Sequence, residues 1–252
     1  MSDTRTPSPT KASTSKPGAR KSPLLPALLA VIAAAVLVLG FVGLPGDDDD
    51  ASAQDGSSGS SAVADLPADD PLVQLPRRDP DDPRALGDVD APVVMVNYSE
   101  FQCPFCGKFA RDTAPTLIEK YVADGTLRIE WRDFPYLGPE SMTAALAGVA
   151  AAEQDKFWEF HDALFAEQLP PNSGNLDQDY LEDKAEEAGL DVAAFREAMD
   201  STVADRRVTL DFQEGQTIGV SGTPAFVING VPVMGAQPTE VFEQVIEEAA
   251  AQ

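Results

Sequence analysis

The residues best suited to chemistry are two cysteines, the only two in the chain, spaced three apart in Cys103-Pro104-Phe105-Cys106. Thiols at this spacing can close into a disulfide and reopen, exchanging two electrons with other thiols. The same pair also suits a structural disulfide, or half of a metal site completed by a second chain. Context favours exchange, because a strand-like apolar run ends just before the motif and a helical pattern begins at Cys103. At a helix N-terminus the unpaired N–H groups and the macrodipole favour a thiolate, so Cys103 should ionise below the ~8.5 of a free thiol. Pro104 falls in the first turn, where its missing N–H had no partner to lose. Cys106, one turn further in, should be the more buried and less ionised thiol, placed to attack a mixed disulfide from behind. Two cysteines and one histidine are too few soft ligands for a closed zinc site in one chain, so no metal is expected.

The elements that must hold these thiols can be traced along the chain. Residues 91–98 form a continuous apolar run of buried-strand type, and a helical pattern follows from Cys103 to about Gly125, with Pro115 expected to kink it. Residues 127–134 alternate as a half-buried strand. A helical stretch, 141–216, comes next. It comprises an Ala-rich segment at 142–152, an aromatic stripe at 157–165, a Pro/Asn/Gly loop at 169–175 and segments near 177–188, 191–200 and 202–216. Residues 225–228 and 231–234 flank Asn229-Gly230, a strong hairpin signal, and a last helix spans about 238–250. His161, on the aromatic stripe beside Trp158 and Phe165, reads as a partly buried helix residue with a hydrogen-bond partner rather than a catalyst.

The 252 residues carry a net charge of −24, unevenly spread. Residues 1–23 are basic (+4), 45–84 acidic (−8) and 85–252 strongly acidic (−20). No basic patch is available for a phosphate backbone, which excludes nucleic-acid binding. Residues 1–23 read as a disordered basic cytoplasmic tail. Residues 24–44 lack any charge and are long enough for a transmembrane helix, with Lys11, Lys16, Arg20 and Lys21 placing the N-terminus in the cytoplasm. A cleaved signal peptide ending at Ala51-Ser52-Ala53 is the competing reading, although the apolar run exceeds the usual 7–15 residues. Residues 45–84, rich in Asp, Pro, Ser and Gly, read as a disordered linker, which leaves 85–252 as the folded, extracytoplasmic domain.

This domain resembles a DsbA-type thiol-disulfide oxidoreductase. The likeness is carried by Leu86-Gly87-Asp88 through Cys106, by 157–165, by Val220-Ser221-Gly222-Thr223-Pro224-Ala225-Phe226 and by Gly235-Ala236-Gln237-Pro238. It implies an α/β thioredoxin fold with an inserted helical domain at about 141–216, no cofactor, and a cis Thr223–Pro224 peptide facing the cysteines as a substrate-binding edge. Two positions depart from the family pattern. Phe105 stands where many strong oxidants of the family have His, and Asn97 stands where a buried carboxylate often precedes the motif. Glu100 lies nearer the cysteines and offers either proton transfer or an exposed loop carboxylate. The resemblance implies an enzyme that gives disulfides to secreted proteins and is reoxidised by a membrane partner of DsbB or vitamin-K-epoxide-reductase-like type; with the charge-free span it is expected to be membrane-anchored, and a monomer is expected. A reductase or isomerase using the same residues remains open, although no dimerisation domain precedes the fold. So does a non-catalytic holdase with a structural disulfide.

Overall fold

The computed structural model describes residues 66–252. The basic tail, the 24–44 span and linker residues 45–65 lie outside the described residues, among which no helix is long and apolar enough to cross a membrane.

Five strands, β1 (Ala85–Leu86), β2 (Val93–Ser99), β3 (Leu127–Asp133), β4 (Ala225–Ile228) and β5 (Val231–Met234), form one mixed sheet in the order β1-β3-β2-β4-β5. β2 and β3 run parallel, with Val93 opposite Leu127 and Ser99 opposite Asp133, and the other pairs are antiparallel. A parallel pair needs a crossover, supplied here by a helical run: α1 (Pro104–Lys108), a π-helical turn (Phe109–Thr113), α2 (Ala114–Leu117) and a second π-helical turn (Ile118–Val122). The kink expected at Pro115 takes the form of the first widened turn. Proline lacks an N–H and its ring crowds the carbonyl four residues back, at Arg111, which lies within that turn.

Five helices separate β3 from β4: α3 (Pro139–Ala152), α4 (Phe157–Ala166), α5 (Gln178–Glu187), α6 (Val192–Met199) and α7 (Thr202–Thr217). Asp177, Asp191 and Ser201 cap the last three, each side chain accepting from an N–H three residues on. The β4–β5 turn has Asn229 at φ 43° and Gly230 at φ 92°, the left-handed pair a two-residue hairpin turn requires. Asn229 also anchors the hairpin, accepting from Val94 N at 2.8 Å and donating to the Pro92 carbonyl at 3.0 Å. α8 (Thr239–Ala250) closes the fold.

β2 is buried throughout, and apolar from Val93 to Val96, because both its faces are covered. Val93 and Met95 pack with Phe109, Leu117, Phe242 and Ile246 on the face of α1, α2 and α8. Val94, Val96 and Tyr98 pack with Leu75, Phe134 and Val227 on the other. A third cluster joins Phe101, Trp131, Phe157, Phe160 and Phe165 to both cysteines.

Two sequence expectations are corrected here. β3 is buried along its whole length, not half-buried, and residues 66–84 belong to the folded domain instead of the linker. The two errors share a cause. The charged face of β3 (Arg128, Glu130, Arg132) is covered by residues 75–84, whose own polar groups complete its pairing. The backbone N–H groups of Arg77 and Arg78 donate to the Glu130 carboxylate at 3.0 and 2.9 Å, and Arg132 pairs with the same group at 2.8 Å. Burial alone would raise Glu130, but these donors hold it down to about 2. Arg84, fully buried, donates to Asp133 at 2.7 Å and to Asp211 of α7 at 2.9 Å. The two-residue strand β1 carries too little pattern for the sequence to announce it.

Candidate active site

Cys103 is the N-cap of α1, extended at φ −72° and ψ 117°, and Pro104 opens the first turn. Its carbonyl accepts from Gly107 N at 3.1 Å, beginning the helix. Both cysteines are free thiols and both are buried, Cys103 at 2% exposure and Cys106 at 1%. The two hardly differ in exposure, because the turn at Thr223–Pro224 covers Cys103, but Cys106 lies the deeper of the two, as expected. That peptide is cis, and the Cys103 thiol donates to the Thr223 carbonyl at 3.2 Å.

The larger difference between the two thiols lies in ionisation. Cys103 is held down to about 6, first by the Cys106 thiol, then by the adjacent Thr223 and the N–H groups of Cys106 and Phe105, all against burial. Burial pushes Cys106 well above the ordinary thiol range, and its partner sulfur adds to the shift. Helix-terminal N–H groups thus contribute, but the neighbouring thiol contributes more. The pair divides into one thiolate and one thiol, the arrangement that dithiol exchange requires.

Phe105 is 62% exposed and its ring offers no donor to either sulfur. Glu100 is not the exposed loop carboxylate allowed by one reading of the sequence. It is 2% exposed, both carboxyl oxygens lack a hydrogen-bond partner, and burial pushes it up to about 7. Asn97 is buried in β2 with its Oδ1 unpartnered. His161 is buried among Trp131, Trp158 and Phe165, its Nδ1 2.8 Å from Asp162 Oδ1, and belongs to the aromatic core.

Sequence reasoning missed the side chains that lock the loop carrying the motif. Gln168, just beyond α4, donates from Nε2 to the carbonyls of Phe101 and Cys103, both at 2.9 Å. Gly107 makes this approach possible, since a Cβ there would lie 2.1 Å from Gln168 Oε1. Gln102 donates to Ser141 Oγ of α3 at 2.8 Å and accepts from Asn172 N at 2.7 Å. Tyr136, 42% exposed, brings its hydroxyl against Gly222 beside the cis peptide. Glutamine-to-carbonyl bonds across this much chain leave no local pattern to read.

A mixed sheet with a parallel β2–β3 crossover and a cysteine pair at the N-terminus of the crossover helix, facing a cis-proline, defines a thiol-disulfide oxidoreductase domain of thioredoxin type. Comparison with known proteins agrees with that class. The chain belongs to the thioredoxin family, whose model described as "Thioredoxin" matches residues 79–248. It is 31% identical over 151 residues to the probable disulfide bond formation protein D of Bacillus cereus, covering 58% of this chain and 70% of that protein. It is 35% identical over 175 residues to the Na(+)/H(+) antiporter NhaA 3 of Salinispora tropica, but spans only 26% of that protein while 69% of this chain is covered. Among solved structures it is similar to alpha-DsbA1 of Wolbachia pipientis, at 25% identity and a TM-score of 0.61, covering 67% of this chain and 90% of that one.

Proposed function

We propose that this protein is a membrane-anchored, extracytoplasmic enzyme that introduces disulfides into translocated proteins as they fold. The reading is carried by the unequal dithiol, with a thiolate favoured at Cys103 and a buried thiol at Cys106. In the oxidised enzyme a substrate thiolate attacks Cys103 Sγ, the bond to Cys106 breaks, and Cys106 takes up a proton. A second substrate thiolate then attacks the substrate sulfur of the mixed disulfide, and Cys103 departs as a thiolate, a good leaving group because its pKa is low. Two electrons pass from two substrate thiols to the cysteine pair, and the enzyme leaves reduced.

The backbone of Thr223 and Pro224, against which Cys103 lies, would receive an extended substrate segment, with exposed Phe105 and Tyr136 as apolar ground beside it. The charge-free stretch 24–44 with basic residues before it supports an anchor that leaves the domain outside the cytoplasm. Reoxidation would fall to a quinone-linked membrane protein of DsbB or vitamin-K-epoxide-reductase-like type. The name of the Bacillus cereus relative supports the oxidising direction.

Trapping tests the assignment. Replacing Cys106 by Ala should accumulate mixed disulfides between Cys103 and substrate proteins, detectable on non-reducing gels, whereas Cys103→Ala should give none. Equal trapping by the two variants would overturn the division of roles.

A further inference from the structure

One buried titratable group close to the dithiol has no part in the exchange steps above. Glu100 ends the connection from β2, three residues before Cys103, and its backbone carbonyl accepts from Cys103 N at 3.4 Å. Its carboxyl is buried, and neither oxygen has a hydrogen-bond partner. A carboxyl sealed from water without a donor or a cation is costly as an anion, and nothing in the packing of the loop calls for one here. The titratable groups facing it are Cys103 on α1 and Tyr136 on the segment before α3. The remaining neighbours, the Ser141 hydroxyl of α3 and the Leu137 backbone, are neutral and draw the carboxyl down only in part against burial. Glu100 therefore has one strong electrostatic variable in its surroundings, the charge on Cys103, and that charge exists only when the disulfide is open.

We infer that Glu100 is a proton-linked positioning residue, which takes up a proton as the disulfide is reduced and so keeps the oxidising strength of the dithiol steady as pH moves through the neutral range. The inference rests on the exchange reaction proposed above and adds a regulator to it. Reduction by two molecules of glutathione breaks the Cys103–Cys106 bond, forms one glutathione disulfide and delivers two electrons and two protons. Cys106 takes one proton. Cys103 remains a thiolate, so the second proton has no place on sulfur. The new negative charge raises the proton affinity of the Glu100 carboxylate, which takes it. With the Cys103 charge present this carboxyl stands at about 7, burial being the largest cause and that charge adding to it, so it lies lower while the disulfide is closed.

Without Glu100 the second proton goes to solvent, and the equilibrium constant for exchange with glutathione then rises tenfold per pH unit. With Glu100 the proton stays on the protein and the constant is nearly flat. The window lies between the ionisation of Cys103 at about 6 and that of Glu100 at about 7. The test uses the full chain in detergent, equilibrated with glutathione at several pH values across this window. In the unaltered protein the constant should change by less than about threefold, whereas in the isosteric Glu100→Gln variant it should approach tenfold. A side chain that merely supports the loop would shift the constant without altering its slope, so equal slopes overturn the inference. A second measurement needs no variant: infrared difference spectra of the unaltered protein at neutral pH should show a protonated carboxyl band appearing on reduction, and its absence would also overturn the inference. Failure of both proteins to exchange with glutathione would sink the functional reading itself, whereas exchange with equal slopes removes Glu100 alone.

Discussion

Cys103 owes its thiolate to groups from three places: the partner thiol, Thr223 beside it and the first N–H groups of α1. A thiolate supported in the reduced state makes the disulfide a stronger oxidant, so each added donor raises the potential. Phe105 occupies the position in the motif best placed to add one and supplies none. Phe105→His is therefore expected to make the dithiol more oxidising by about 30 mV, tenfold in the exchange constant. The unaltered protein should fall between about −270 and about −120 mV, the values of thioredoxin and DsbA. Alkylation of the reduced protein provides a parallel measure. Reactivity follows the thiolate and is lost as pH falls through about 6, and this midpoint should move lower in the variant. An unchanged potential and midpoint would locate the tuning at Thr223 instead.

Among the elements, the segment leading into β1 is held by buried charge pairs. Arg84 is fully buried between Asp133 and Asp211, and burial raises Asp133 to about 6 in spite of Arg84. Arg84→Met fills similar space but leaves two carboxylates buried together, which should cost about 3–5 kcal/mol in urea unfolding at neutral pH. Without Arg84 to hold it down, Asp133 is raised further, and a carboxylate with a raised folded pKa loses stability as pH rises, so the deficit should shrink as pH falls toward about 6. A deficit independent of pH would mean that packing, not charge, sets the cost. This network also explains what the sequence concealed. The apolar run of β2, the Asn229-Gly230 hairpin and the capping residues Asp177, Asp191 and Ser201 act through neighbours in the chain and are legible there. The alternation of Arg128, Glu130 and Arg132 is legible too, but its usual meaning is a solvated face, and only the return of residues 75–84 across it reverses that meaning. At the site the cysteine motif is local and visible. The burial of Glu100 and the reach of Gln168 are tertiary and left no sign.

On the scale of the whole molecule, the packing of residues 66–84 narrows the stretch that can serve as tether to 45–65, whose composition is rich in Ser, Gly and Asp. If the proposed anchoring holds, protease added outside intact cells should release a fragment whose N-terminus, read by mass spectrometry, falls within 45–65, with 66–84 protected. Cuts spread through 75–84 would contradict the pairing with β3. Mature protein that begins at Gln54 without added protease would identify a cleaved signal peptide in place of an anchor.

The bonds from Gln168 to the motif loop span 65 residues from Cys103, and the contact with Thr223 spans 120. During synthesis both cysteines therefore leave the ribosome well before either of the parts that set their chemistry, and domains of this kind fold as units. Until Gln168 and Thr223 have followed, the nascent dithiol is an ordinary pair of thiols, open to the same oxidation as those of any other emerging chain. An enzyme proposed to guide the cysteines of others thus begins its own life as a client.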